Sequence, residues 1–292
     1  MKSNNILQGL LVFTILICQS CTSKPDNADQ LVTINTRLGD IKLILFDDTP
    51  KHKQSFLELA NNGAYDSTSF YRVMKDFMIQ GGDVTIHPEF EKESRRLIPA
   101  EMLPEHIHAR GMVGAARQAN YRNPSQQSST QFYIVQGRTF SELEISTRIG
   151  QLNGALSKFL YDGKHQDLID EFKILQDSAK TEEMQEKILG LRKQMEEELN
   201  MSFENTLLTQ AQIEAYTTIG GAPHLDGEYT VFGQVVEGMD TVDKIAALEV
   251  DSVDNPIEPV YMKFRVEAIS KDSITAKYGI AYPEILATEE EK

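Results

Sequence analysis

Only two of the 292 residues are cysteine, Cys18 and Cys21, and both lie at the N-terminal end, so no internal disulfide framework can hold the fold. Basic residues are also scarce: 29 Lys and Arg stand against 44 Asp and Glu, for a formal charge of −15. A phosphate-binding surface needs the opposite balance, which excludes nucleic acid as the expected partner and leaves the acidity to serve solubility. No serine sits in a G-x-S-x-G elbow and no glycine loop has the Walker spacing, so acyl transfer and nucleotide chemistry have no visible start. The six histidines are scattered, and the one close pair, His106 and His108, lies in a proline-rich loop that makes a poor metal site. No Cys/His nucleophile pair is available either. These absences leave a site that binds and distorts rather than cuts, with no cofactor and no metal expected.

The only long apolar run, residues 6–17, is too short to span a bilayer. With Lys2 before it and Ser20 preceding Cys21, residues 1–20 read as a secretion signal. The segment also resembles the bacterial lipoprotein signal, in which the cysteine after the cleavage site is acylated, although Cys18 occupies a position that is usually aliphatic. That resemblance implies an exported protein anchored by a lipid on Cys21, in the periplasm or at the outer membrane of a bacterium. The other reading is a soluble exported protein. Residues 21–30 are polar and without periodicity, as suits a tether.

Past the tether the chain reads as strands and short helices. Residues 31–38 and 41–46 flank Gly39 and Asp40 as a hairpin, and Thr49 followed by Pro50 predicts an N-cap and first-turn proline for a helix over 51–61. Residues 70–80 return to strand character, and 83–108 form a long polar connection of the size that is often functional. Apolar runs at 111–116 and 131–135, a strand over 229–236, a short helix capped by Asp240 and a last alternating strand carrying Val260, Met262 and Phe264 complete a mainly β protein. Residues 270–292 read as an acidic, poorly ordered tail.

Between 139 and 216 glycine and proline become rare, and Ile145, Ile149, Leu152, Leu156 and Phe159, then Met184, Ile188, Leu191, Met195 and Leu199, recur at helical spacing. This predicts an all-α insertion of two or three packed helices. It serves either as structural elaboration or as a contact for a partner or substrate.

Four segments in order, FYRVMKDFMIQGGD from Phe70, GMVGAAR from Gly111, STQFYIV from Ser129 and HLDGEYTVFGQV from His224, resemble the signature segments of the cyclophilin family of peptidyl-prolyl cis/trans isomerases. The agreement spans most of 31–138 and 217–269. The resemblance implies a closed eight-stranded antiparallel barrel with two capping helices and a site on its outer face, acting on proline-containing polypeptides of exported proteins. It puts the catalytic arginine on Arg72, the apolar proline pocket on Phe77, Met78, Tyr133 and Leu225, and a bracing glutamine on Gln80. It puts backbone-holding contacts on Ala116, Arg117 and Gln131, with His224 and Tyr229 on the rim. In the family Tyr133 is often Phe, His224 is Trp in the best-known eukaryotic members, and Tyr229 is His there. The chemistry agrees with the residue types: an arginine that stays charged beside an apolar pocket can meet the nitrogen of a twisting X-Pro bond without any proton transfer. A rival reading is a binding or chaperone module in which the helical insertion carries the main interaction.

Overall fold

The computed structural model describes residues 27–117, 125–161 and 163–282. The expected signal at 1–20, Cys21, most of the 21–30 tether and the acidic chain end at 283–292 lie outside the described residues. The described residues divide into two compact units, 30–267 and 27–29 with 268–282.

Eight strands make one sheet: β1 (Ala28–Thr36), β2 (Gly39–Leu45), β3 (Arg72–Met74), β4 (Met78–Gly81), β5 (Met112–Arg117), β6 (Ser128–Val135), β7 (Val231–Glu237) and β8 (Lys263–Ser270). Their order is β3-β4-β6-β5-β7-β2-β1-β8, with antiparallel registers. The first hairpin turns at Arg37 and Leu38, one step before the expected Gly39 and Asp40, which open β2 instead. The ladder ends at β3 and β8, so strand pairing does not deliver the closed barrel that the resemblance implies. The chain before each of those strands meets instead through short backbone bonds, Ser67 N to Met262 O at 2.9 Å, Met262 N to Thr68 O at 2.8 Å and Phe70 N to Val260 O at 3.0 Å.

Side chains alternate across a strand, so each strand feeds two surfaces. Val32, Ile34, Ile41, Leu43, Phe132, Ile134 and Phe232 go to the main core, which α1 (Pro50–Asn61) and α9 (Met239–Ala246) cover with Phe56, Leu59, Val242 and Ile245. Pro50 opens α1 as expected, but the Thr49 hydroxyl makes no cap. The Glu101 carboxylate takes that role, accepting from the backbone N–H groups of Lys51 at 3.1 Å and His52 at 3.0 Å. A carboxylate satisfies two orphan donors and suits the positive helix end, so it outcompetes a hydroxyl. Likewise α9 is capped by Gly238 in the left-handed region, and Asp240 sits one residue inside the helix, paired with Lys244.

Glu101 belongs to the 83–108 connection, which is not structureless. It carries tight turns at Val84–Ile86 and Pro88–Phe90 and a one-turn helix, α2 (Glu91–Ser94). Between β6 and β7 the described residues form six helices: α3 (Glu142–Ile145), α4 (Ile149–Leu160), α5 (Gln166–Asp177), α6 (Thr181–Gly190), α7 (Arg192–Leu199) and α8 (Gln210–Thr218). They exceed the expected two or three and end two residues later than 216, because Thr209 and Gln212 form a capping box that starts a further helix. Leu152, Phe159, Phe172, Ile188, Met195 and Phe203 bury a separate small core among them. In the smaller unit, α10 (Lys271–Tyr278) replaces the expected disordered start of the tail. Ser270 caps it, Ile274 is fully buried, and the Tyr282 hydroxyl donates to Asp29 at 2.7 Å.

His52 links α1, the connection and β6: its Nδ1 lies 2.6 Å from Glu101 Oε2 and its Nε2 lies 2.8 Å from Ser128 Oγ. Burial penalises the imidazolium and holds His52 below its ordinary 6.5, despite Glu101. For Glu101 burial works upward, but the hydrogen bonds from the His52 ring and from two backbone N–H groups outweigh it and hold the carboxyl below 4.5. Both folded values lie under the unfolded ones, so the unfolded chain takes up the proton first and stability falls as the pH drops. The loss begins near 6.5 for His52 and adds Glu101 below 4.5. His52→Gln is expected to remove the upper part of that loss, which has a ceiling of about 1.4 kcal/mol per pH unit for one proton. Urea denaturation of both proteins at about pH 7.5 and about pH 5.5 checks this; equal pH dependence in the two would refute it.

Candidate active site

The alternation that sends Phe132 and Ile134 inward sends Gln131, Tyr133 and Val135 to the opposite face of β6. On that face Met78, Tyr133, Val135, Ala222 and Leu225 form a second apolar cluster, flanked by Phe77, Ala116 and Tyr229. Register builds the rest: Gln80 stands opposite Tyr133, and β3 brings Arg72 opposite Gln80. The result is a cleft of about 750 Å³.

Ten of the eleven residues expected there line it or its mouth: Arg72, Phe77, Met78, Gln80, Ala116, Arg117, Gln131, Tyr133, Leu225 and Tyr229. The remaining one, His224, lies just outside with its ring 5.0 Å from that of Phe77, so it flanks the pocket wall without lining the cleft. Among the described residues none of 139–216 lines the cleft. The mouth includes residues that the sequence did not single out, Asp83, Thr85, Ser94, Arg95 and Leu97 from the 83–108 connection.

Arg72 is 42% exposed in its side chain and loosely held. Its guanidinium donates to Met74 Sδ at 3.1 Å, and its Nε lies 3.8 Å from Asp254 Oδ2. Asp254 is brought there by its own carbonyl, which accepts from Val73 N at 2.8 Å, and by a left-handed backbone with φ 64°. Asp tolerates that region better than most residues, which is the only local signal that could have pointed to it. The bracing by Gln80 is not made directly. Its amide donates to the Tyr71 hydroxyl and, at 3.4 Å, to Gln131 Oε1, while Tyr71 donates to Gln131 Oε1 at 2.6 Å. Two neighbouring acceptors draw the amide away from a cation that needs none of its donors. Burial raises the Tyr71 phenol above its ordinary value, against the opposing bond from Gln80, so it remains a donor.

The other rim is aromatic and cationic. The Arg117 guanidinium lies 4.4 Å from the centre of the Tyr229 ring and donates from Nε to Glu228 O at 2.8 Å. Tyr229 meets Tyr133 edge-on, with ring centres 6.0 Å apart at 84°. Tyr133 itself stands opposite Gly114, where any Cβ would overlap its ring. His106 and His108, close in sequence, diverge: His106 reaches Asp48 and stacks on Phe46, whereas His108 reaches Asp226. Chemically, the cleft offers an apolar pocket for a small ring, a weakly partnered cation, Arg72, beside it, and amide groups for an extended backbone.

A family model described as cyclophilin type peptidyl-prolyl cis-trans isomerase matches residues 31–159 and 157–266. A protein of Staphylococcus epidermidis named as a peptidyl-prolyl cis-trans isomerase is 28% identical over 233 residues, covering 80% of this chain and 88% of its own. A Streptococcus pyogenes protein named as a bifunctional phosphatase and peptidyl-prolyl cis-trans isomerase is 30% identical over 235 residues, 80% of this chain but 37% of its own. Among solved structures, a Cryptosporidium parvum cyclophilin type isomerase is 21% identical with a TM-score of 0.48, over 83% of this chain and 99% of its own.

Gly114→Ala is expected to push the Tyr133 ring out of place and to destabilise the protein by about 1–3 kcal/mol, the usual cost of overpacking. Chemical denaturation measures it, and an unchanged midpoint would show that the ring yields freely.

Proposed function

Because the chain belongs to the cyclophilin-type peptidyl-prolyl cis-trans isomerase family and is such an isomerase, we propose that Arg72 and the apolar pocket beside it carry the reaction on proline-containing segments. The observation that carries this reading is the convergence of Arg72, Phe77, Met78, Tyr133 and Leu225 on one cleft from three separated stretches of chain.

Rotating an X-Pro bond costs about 18–20 kcal/mol because the amide loses its resonance. At the twisted state the proline nitrogen regains a lone pair, and a donor aimed at it helps only there. Arg72 is such a donor. It is always protonated, and its present partners are a thioether and a carboxylate 3.8 Å away, both weak enough to release it. One preorganised charged donor contributes about 3–4 kcal/mol, whereas a millionfold acceleration requires about 8 kcal/mol. The dry wall of Phe77, Met78, Tyr133 and Leu225 supplies a second contribution: the planar amide is more dipolar than the twisted one, so an apolar surround favours twisting while it grips the ring. Gln131 and Gln80, held by Tyr71, offer amide groups to the neighbouring peptide units, as do the Ala116 and Arg117 positions of β5.

The backbone bonds between 67–70 and 260–262 support reading the sheet as a barrel closed by irregular chain rather than by a ladder. The separate small core of the helices supports reading 139–216 as an inserted subdomain within a sheet unit made of 31–138 and 217–269. Since the helices line none of the cleft, nothing favours the rival in which they carry the main interaction. The N-terminal sequence supports export and an acyl anchor on Cys21, which would hold the isomerase at a membrane where exported chains emerge.

Arg72→Ala is expected to lower kcat/KM on a proline-containing peptide by about 10²–10³-fold. The wild-type rate should vary little from about pH 6 to about pH 9, because a guanidinium donor needs no proton transfer. An Arg72→Ala enzyme as fast as wild type would remove the assigned role. Cys21→Ala should shift the protein from the membrane to the soluble fraction on cell fractionation, and an unchanged distribution would refute the anchor.

A further inference from the structure

Beneath the cleft, four buried or half-buried side chains from four parts of the chain are joined end to end. Tyr216 of α8, fully buried, donates its hydroxyl to Asp226 Oδ2 at 2.6 Å. Asp226 Oδ1 accepts from the His108 backbone N–H at 2.8 Å and lies 2.9 Å from His108 Nδ1. His108 is fully buried, and its Nε2 lies 2.8 Å from the hydroxyl of Tyr133 in the pocket wall.

The direction of each bond follows from what each group can do. A carboxylate only accepts, so the neutral imidazole of His108 carries its proton on Nδ1 and presents a bare Nε2. Tyr133 must therefore donate, and its hydroxyl proton points away from the pocket. Burial pushes the Tyr133 phenol well above its ordinary value, so that proton stays in place. Every donor in the chain is directed towards Asp226.

The ring of Tyr133 is otherwise held by little that is directional. It has the slot above Gly114 on one side, the edge-on Tyr229 on another and the parallel His108 ring at 6.0 Å. We propose that Tyr216, Asp226 and His108 are positioning residues of the isomerase site: their hydrogen bonds fix the plane of the Tyr133 ring and keep its hydroxyl out of the pocket. Through Tyr216 the helical segment becomes part of the site although it lines none of it. The inference rests on the pocket being the proline site.

Removing one relay oxygen leaves the apolar surround that favours twisting in place and loosens only the grip on the ring, which is equal in the planar and twisted states and so acts on KM rather than on kcat. Tyr216→Phe, which removes one oxygen from a residue that does not line the cleft, is therefore expected to raise KM for an Ala-Pro peptide three- to ten-fold, with kcat within two-fold. Tyr133→Phe should raise it similarly, and the double variant should be no worse than the worse single one, since both break one relay. Imidazole nitrogen NMR should report the Nδ1–H tautomer of His108 in wild type and a shift of its Nε2 signal in Tyr133→Phe; this readout holds even for a variant of lowered stability. An unchanged KM in Tyr216→Phe, multiplying effects in the double variant, or the Nε2–H tautomer would overturn the relay. Arg72→Ala separates the two readings: if it slows kcat while Tyr216→Phe changes nothing, the relay fails and the site stands. If neither changes anything, the site assignment fails.

Discussion

The strict two-residue period of β6 is the constraint on which both the fold and the cleft depend. Phe132 and Ile134 complete the main core, and Gln131, Tyr133 and Val135 complete the outer face, so one strand serves stability and function with alternate residues. A one-residue slip would exchange the two sets and lose both at once. Pairing on either side makes that slip costly, because Tyr133 must meet Gly114 on β5 and Gln80 on β4. Any larger residue than glycine at 114 would close the space that the ring occupies.

A donor that must act only at a twisted amide has to be available rather than paired. In the proposed mechanism Arg72 meets this by having two poor partners. A buried, bidentate carboxylate would have kept the guanidinium in place at the cost of competing with the proline nitrogen, whereas an exposed pair contributes about 0–1 kcal/mol and gives way easily. Asp254 stands at that weak end, 3.8 Å away and itself 41% exposed in its side chain. The polar group next to the arginine in register, Gln80, is instead engaged with Tyr71 and Gln131.

The strands, α1 and the residues of the cleft were legible because they depend on local pattern and on short segments whose order resembles a family. Arg72, Met78 and Gln80 lie within nine positions of one another, and the strand register does the rest. What could not be read joins distant stretches. His108 and Asp226 are 118 positions apart, Arg72 and Asp254 are 182 apart by number, and the Glu101 cap of α1 comes from 50 residues downstream and displaces the Thr49 cap that local rules favour. Barrel closure was not legible for a similar reason, since the bonds between residues 67–70 and 260–262 amount to one isolated bridge outside the strand ladder and join stretches almost two hundred positions apart. The start of the tail was misjudged because α10 is short and of weak periodicity, and only its Ser270 cap and the buried Ile274 mark it.

The substitution of tyrosine for the phenylalanine common in the family carries a physical obligation. A buried hydroxyl without a partner costs about 1–3 kcal/mol, and a pocket for a proline ring offers it none. His108 answers on the far side of the ring, but a buried imidazole then needs its own second partner, which Asp226 provides, and a carboxylate with a free oxygen needs another donor, which Tyr216 provides. Each step satisfies one group and exposes the need of the next, until the chain of needs ends in α8. Tyr133 is thus affordable only in a protein that has a helix to finish the network. The helical segment and the polar atom in the pocket wall are two ends of one requirement, which ties the segment to the pocket although it lines none of it.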